Sequence, residues 1–149
     1  MSFWITGTED DVPYNQMFSI RAKDQTTSVT NAISHATCMT AIDLGAKAII
    51  TVTHSGNTSR MVSKYRPGCL IVGCSLDERI CRQLNLSWGV APIYIKEEYS
   101  MEILLLHATE AAEKAGYVKQ GDVVVLTVGV PLGRPGNTNL MKAAVVGEY

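Results

Sequence analysis

Short apolar runs rich in β-branched residues alternate with helical patterns along this chain, and this alternation is the feature that most constrains the fold. The runs lie at residues 46–52, 70–74, 90–95 and 121–128. A run of this kind bounded by turn residues is typical of a buried strand. Strands that alternate with helices form a mostly parallel sheet that is covered on both faces. The sequence therefore predicts an α/β domain with three layers, α/β/α.

A fifth apolar run, residues 140–146, follows a loop rich in glycine and proline rather than a helix. Parallel neighbours need a long crossover, usually a helix, whereas antiparallel neighbours do not. We therefore expect the last strand to pair antiparallel to the fourth strand, which makes the five-stranded sheet mixed.

The predicted helices have recognisable ends. Thr27 or Ser28 caps the first helix, and Gly45 ends it. The apolar residues of this helix recur at helical spacing, at Val29, Ile33, Ala36, Thr40 and Leu44. Ser75 and Glu78 form a capping-box pattern before the third helix.

The composition of the 149 residues excludes several classes of protein. Hydrophobic residues make up 46% of the chain, enough for one sizeable core. A formal net charge of -1 gives no electrostatic footprint for nucleic acid or for an acidic membrane. No apolar run approaches the ~20 residues of a membrane helix, and no signal-peptide pattern opens the chain. We expect a cytoplasmic domain that binds neither nucleic acid nor membrane.

The chain divides into two predicted parts. Residues 1–26 are irregular, with acidic residues at positions 9–11 and few periodic apolar positions. They are interpreted as an N-terminal linker segment. Residues 27–149 carry the alternating pattern and are interpreted as the α/β domain.

No metal site is expected from the cysteine and histidine residues. Cys69 and Cys74 flank an apolar strand, and Cys81 lies on the apolar side of the next helix; the fourth cysteine is Cys38. Buried reduced thiols are the favoured interpretation. His35 and His107 have no carboxylate or second histidine four residues away, which favours packing or surface roles.

Residues 51–60 place a glycine turn between a strand and a helix. Hydroxyl residues and Gly56 follow the first strand, and a helical pattern opens at Thr58. The free N–H groups and the dipole of a first helical turn favour an anion in such a loop. The segment therefore predicts a phosphate-binding loop. The alternative is a turn that only joins the strand to the helix.

A second loop of the same kind, residues 129–138, follows the fourth strand. Ligands of open α/β sheets bind beyond the carboxyl ends of the strands, where the strand order reverses. If the first and fourth strands are neighbours, the two loops converge and Arg134 becomes the charged partner of a phosphate. The alternative is that Arg134 is a solvated loop charge. Arg60, Lys64 and Arg66 are interpreted mostly as a solvated face.

Five motifs, in this order and at this spacing, resemble the C-terminal domain of pyruvate kinase. They are Thr53-His-Ser-Gly-Asn-Thr58, Val62-Ser-Lys-Tyr-Arg-Pro67, Leu84-x-Leu-x-x-Gly-Val90, Gly121-Asp-Val-Val-Val and Gly136-Asn-Thr-Asn-Leu-Met141. The resemblance covers residues 8–146 and leaves residues 1–7 without a match. It implies a five-stranded sheet in the order 3-2-1-4-5 with the last strand antiparallel.

The resemblance also implies a regulatory site for a phosphorylated effector. In this family, the loop matching residues 53–58 holds a sugar phosphate, and the loop matching residues 129–138 closes over the effector. Carried over by the resemblance, the residues that hold the phosphate are Thr53, Ser55, Gly56, Asn57 and Thr58. His54 in the same loop and Arg134, Gly136 and Thr138 in the second loop complete the predicted effector-binding residues. The stretch after Ile95 is shorter than in the animal enzymes and lacks the tryptophan and arginine that hold a second phosphate there. A sugar monophosphate or nucleotide monophosphate is therefore expected rather than fructose 1,6-bisphosphate.

The catalytic part of pyruvate kinase is not expected in this chain. Transfer of a phosphoryl group from phosphoenolpyruvate to ADP needs divalent metal ions and a cationic clamp. In the family these lie on a (β/α)₈ barrel, a fold of ~200 residues or more. We therefore expect no catalysis by this chain alone and no cofactor in it, since divalent and monovalent cations would belong to the barrel.

Three hypotheses for the function follow from the sequence. The first is a regulatory domain of pyruvate kinase, which in that family also contributes to contacts between subunits, so a homo-oligomer is expected. The second is a free-standing relative that binds or acts on phosphosugars. The third is an assembly module whose anion loop is vestigial.

Overall fold

The computed structural model describes residues 28–96, 98, 100–129 and 138–148. The predicted linker at residues 1–26 therefore lies outside the described part of the chain. The elements follow one another in the order α1 (Val29–Leu44), β1 (Ala48–Thr53), α2 (Asn57–Lys64), β2 (Leu70–Ser75), α3 (Glu78–Leu84), β3 (Val90–Tyr94), α4 (Met101–Lys114), β4 (Val123–Val128) and β5 (Leu140–Val145).

The five strands form one mixed sheet in the order β3-β2-β1-β4-β5. β1 is parallel to both β2 and β4, and β2 is parallel to β3. β5 runs antiparallel to β4, with Val123 opposite Val145 and Val128 opposite Leu140. The predicted fold class, strand order and direction of the last strand are all confirmed.

Helices cover both faces of the sheet because the β-branched strands bury both sets of alternating side chains. One face of β1 carries Ile50 and packs with Leu104 of α4 in the larger core cluster. The other face carries Ile49 and packs with Cys38 of α1 and Val62 of α2. α3 packs on β2 and β3. α2 and α3 lie on the same face, since a Cβ on Gly73 would contact side chains from both helices.

The buried side of α1 is not the apolar repeat seen in the sequence. Val29 and Leu44 are 61% and 48% exposed. Small residues face the core instead, at Ser34, Thr37, Cys38 and Ala41. Small side chains allow α1 to pack closely on β1, β4 and α2. The ends of the helix are as predicted, because Ser28 accepts a hydrogen bond from the N–H of Asn31 and Gly45 has a φ of 61°.

The predicted capping box before α3 is wrong. Ser75 remains in β2, opposite Thr53 of β1 and Tyr94 of β3. The helix is capped two residues later by Asp77, whose side chain accepts a hydrogen bond from the N–H of Arg79 at 2.8 Å. Ser75 supports this start, since its hydroxyl accepts from the N–H of Asp77 at 3.1 Å.

None of the four cysteines forms a disulfide within the described part of the chain. Cys38 and Cys74 are buried as predicted, whereas Cys69 and Cys81 are half-buried. Burial raises the pKa of the Cys74 thiol to about 12 and that of Cys69 to about 11. Since the thiolate is the reactive form, neither residue is a nucleophile at neutral pH.

No helix in the described ranges is both long enough and apolar enough to cross a membrane.

Candidate functional site

The candidate site lies beyond the carboxyl ends of β1 and β4. These strands are adjacent, with Val52 opposite Val128, at the point where the strand order reverses. Neighbouring strands lie about 4.8 Å apart, so the loops that follow β1 and β4 begin side by side. This adjacency is the condition that the sequence argument set for a shared site.

A pair of threonine hydroxyls joins the two loops. The Oγ1 atoms of Thr58 and Thr138 lie 2.5 Å apart, although the residues are 80 positions apart in the chain. Thr58 is 5% exposed and Thr138 is fully buried. The structure thus brings Thr138 against the loop at residues 53–58. Arg134 and Gly136 lie outside the described residues.

The loop at residues 53–58 is stabilised by its own hydroxyls. The N–H of Gly56 donates to Oγ1 of Thr53 at 2.8 Å, and the N–H of Asn57 donates to Oγ of Ser55 at 3.3 Å. Gly56 has a φ of 85°, which an L side chain rarely adopts. The first backbone bond of α2 is the one from the N–H of Arg60 to the carbonyl of Gly56.

The N-terminal turn of α2 leaves donors for a ligand. Within the described residues, no hydrogen-bond acceptor is recorded for the backbone N–H groups of Thr58 and Ser59. Such N–H groups and the helix dipole together favour an anion. The hydroxyls of Ser55 and Thr58 lie on the same turn. The arrangement suits three or four hydrogen bonds to one small oxyanion.

Buried contacts fix α2 against the sheet beneath this turn. The hydroxyls of Thr51 and Ser59 lie 2.6 Å apart, and both residues are fully buried. A Cβ on Gly73 would lie 3.0 Å from Oγ of Ser59 and 3.1 Å from Cδ1 of Leu84. Gly73 therefore allows α2 and α3 to approach β2. Thr51 and Ser59 are structural residues, because the hydrogen bond between them fixes the first turn of α2 relative to β1.

Arg60 lies against the candidate loop, so the interpretation of the three basic residues as mostly a solvated face holds for Lys64 and Arg66 and only in part for Arg60. Its Nη2 donates to the carbonyl oxygen of Ser55 at 2.8 Å, and the residue is half-buried. Its Nη1 would lie 2.8 Å from a Cβ on Gly56. Lys64 is exposed as predicted, and Arg66 is exposed and lies over the ring of Trp88 at 4.8 Å. The sequence signal for a place of Arg60 near the loop was its distance of one helical turn from the start of α2.

The charges around the site are unevenly distributed. His54 is exposed at the end of β1. The hydrogen-bonded guanidinium of Arg79 lowers the pKa of Asp77, and the charge of His54 acts weakly in the same direction. Among the residues that the structure describes, no group of three histidine, cysteine or acidic side chains could hold a metal ion. The site is thus built from hydroxyls, N–H groups and cationic side chains.

Comparison with known proteins identifies the family. The family model named pyruvate kinase, alpha/beta domain, matches residues 31–144. The pyruvate kinase of Sporosarcina psychrophila is 42% identical over 141 residues, which are 95% of this chain and 24% of that protein. The pyruvate kinase of Staphylococcus aureus is 41% identical over 135 residues, which are 91% of this chain and 23% of that protein.

Solved structures agree with the sequence matches. The crystal structure of a pyruvate kinase from Cryptosporidium parvum superposes with a TM-score of 0.72 at 30% identity. This superposition covers 81% of the present chain and 23% of that one. The chain spans about a quarter of the length of the curated relatives it matches. Because the family model covers most of the described residues, the chain belongs to the pyruvate kinase alpha/beta domain family.

Proposed function

We propose that this chain is a regulatory domain of a pyruvate kinase that binds a phosphorylated effector at residues 53–58. The observation that carries the proposal is the contact between Thr58 and Thr138. It joins two loops at the switch point of an open α/β sheet, the usual place for a ligand in such folds. The proposed setting is cytoplasmic glycolysis, where the effector would couple metabolite levels to the activity of the enzyme.

A monophosphate is the proposed effector class. One helical turn with its hydroxyls suits a single phosphate group. Among the described residues, Arg60 is the cationic side chain that contacts this loop, and Arg79 at the start of α3 is paired with Asp77. A second phosphate of a bisphosphate would need its own cationic partners.

Isothermal titration calorimetry tests the proposal. We expect at least one of ribose 5-phosphate, glucose 6-phosphate and AMP to bind with a Kd below millimolar, and fructose 1,6-bisphosphate to bind no more tightly. Ribose without phosphate is the matched control and should give no heat of binding. If none of the phosphorylated compounds binds below millimolar, the effector proposal fails and the assembly-module hypothesis replaces it.

The chain alone is expected to have no pyruvate kinase activity. The residues of the site contain no acidic metal-binding group in the described ranges, and phosphoryl transfer depends on metal ions. A coupled assay with phosphoenolpyruvate and ADP checks this on the purified chain. Turnover that scales with protein and survives repurification would contradict it and favour a free-standing enzyme.

We also propose that the domain contributes to subunit contacts through β5 and α1. Among the described strands, β5 pairs with β4 alone and is therefore an edge strand, which another chain can pair with or cover. α1 packs near β5 and exposes large apolar residues, at Val29, Ile42 and Leu44.

Self-association is therefore expected to depend on concentration. Sedimentation velocity should show the average mass rising with protein concentration. Leu44→Glu, on the exposed side of α1, should lower the associated fraction. Leu86→Glu is the matched control, because Leu86 is 90% exposed in the loop before β3, and it should leave the fraction unchanged. A monomer at all concentrations would count against the proposal.

A further inference from the structure

Among the residues that the structure describes, Arg60 has no acidic side chain as a counter-ion. Its residue is half-buried, and within the described ranges no carboxylate lies within 4 Å of its guanidinium. Partial burial of a charge is costly unless the charge is paired. Within the described part of the chain, the guanidinium makes one hydrogen bond, from Nη2 to the carbonyl of Ser55. The positive charge of Arg60 is therefore available to bind an anion.

The loop itself supplies no permanent cation. Its residues from position 53 to 58 are hydroxyl residues, one glycine, one asparagine and His54, which is exposed. A helix N-terminus is equivalent to about +0.5 charge. A phosphate monoester carries about -1.5 to -2 charges near pH 7. Backbone and hydroxyl donors alone would leave most of the charge of the ligand unbalanced.

The side chain of Arg60 reaches back to the start of its own helix. The carbonyl of Ser55 holds Nη2, and Nη1 lies next to Gly56, where any Cβ would be 2.8 Å away. A guanidinium has five N–H donors in a rigid fork. One nitrogen can therefore stay on the protein while the others bind the ligand.

We propose that Arg60 is the cationic contact of the phosphate group, with Nη2 kept on the Ser55 carbonyl and the remaining donors on the phosphate oxygens. This inference rests on the proposed function, because it assigns the charge partner within the same site. It also assigns Arg60 two roles, since the same side chain binds the ligand and fixes the carbonyl of Ser55 in the loop before α2. A lysine would supply the charge without the fork.

The test compares three Arg60 variants with a control on the same helix. Binding of the tightest monophosphate is measured by calorimetry for Arg60→Gln, Arg60→Met and Arg60→Lys. Losing a charged hydrogen bond is expected to weaken binding at least about tenfold in the glutamine and methionine variants. The lysine variant should lie between them and the unchanged protein. Lys64→Gln removes the exposed charge one turn later and should bind as the unchanged protein does.

The salt dependence of the Kd distinguishes a direct contact between Arg60 and the phosphate from a purely structural role of Arg60. Affinity of the unchanged protein should fall as ionic strength rises, because salt screens the attraction between charges. This dependence should be flatter in both uncharged variants. Thermal denaturation shows which variants are folded, and the methionine variant, which keeps the aliphatic stem, replaces a glutamine variant that fails to fold.

Each other outcome overturns the inference. If the uncharged variants bind as tightly as the unchanged protein, Arg60 has no role in binding, while the proposed function stands. If they bind more weakly but with unchanged salt dependence, Arg60 only shapes the loop. If the unchanged protein binds none of the monophosphates, the proposed function fails and the Arg60 contact fails with it.

Discussion

The double variant Ser55→Ala with Thr58→Ala is expected to bind the phosphorylated effector at least tenfold more weakly than the unchanged protein. The Thr58–Thr138 pair uses one hydroxyl hydrogen internally, which leaves a second hydrogen for a ligand. Ser55 accepts from the N–H of Asn57 and keeps its own hydrogen. A hydrogen bond to a charged acceptor contributes roughly 1.5–3 kcal/mol, and each ~1.4 kcal/mol is a factor of ten in affinity.

The hydroxyl of Ser63, which lies on α2, is the matched control for this measurement. Ser63 is also buried, but its hydroxyl donates to the carbonyl of Trp88 at 2.6 Å, near the opposite end of α2. Ser63→Ala should cost stability and leave the Kd unchanged. Calorimetry gives the affinities, and urea denaturation separates folding from binding. If the double variant binds as tightly as the unchanged protein, the loop is only a turn.

The architecture followed from the sequence because its signals are local and repeated. β1 and β4 are short, β-branched and bounded by turn residues, so their burial on both faces could be predicted from the sequence, whereas β3 is only partly buried. The antiparallel direction of β5 followed from the glycine- and proline-rich sequence before it, which carries no helical pattern. The strand order came from the family resemblance, since periodicity does not say which strands are neighbours.

The failures have a common physical cause, which is that packing selects among local alternatives. More than one side of α1 could pack on the sheet. The side with small residues packs there, and Val29 and Leu44 stay exposed. Ser75 and Asp77 are both good helix caps, and strand pairing kept Ser75 in β2. The direction of a long side chain such as Arg60 depends on the carbonyl it meets. No spacing rule determines that choice.

The contact between Thr58 and Thr138 shows what the sequence could supply for the site. Both residues were expected near the ligand. Because β1 and β4 are adjacent, the loops that carry the two residues lie close together. The sequence indicated the two loops and not the pairing of their hydroxyls. Arg134 and Gly136, which lie outside the described residues, stay predictions from the sequence.

Gly56→Ala is expected to destabilise the domain by about 2–5 kcal/mol and to abolish effector binding. A left-handed conformation costs an L residue about 1–2 kcal/mol, and overpacking adds typically 1–3 kcal/mol. The new Cβ would lie 2.8 Å from Nη1 of Arg60 and 2.9 Å from Cγ2 of Ile80. The methyl group would therefore displace the guanidinium from the site as well as strain the turn.

Gly68→Ala separates the strain from the steric contact. Gly68 has a φ of 86°, against 85° for Gly56, and a Cβ there would meet nothing within 4 Å. Its substitution should therefore cost only the backbone term, about 1–2 kcal/mol, and leave binding intact. Urea denaturation of both variants gives the difference, which we expect to be about 1–3 kcal/mol, the overpacking cost alone. If both variants are destabilised equally, the side chains of Arg60 and Ile80 move aside without a free-energy cost. If a folded Gly56→Ala variant still binds the effector, binding does not depend on the geometry of this turn.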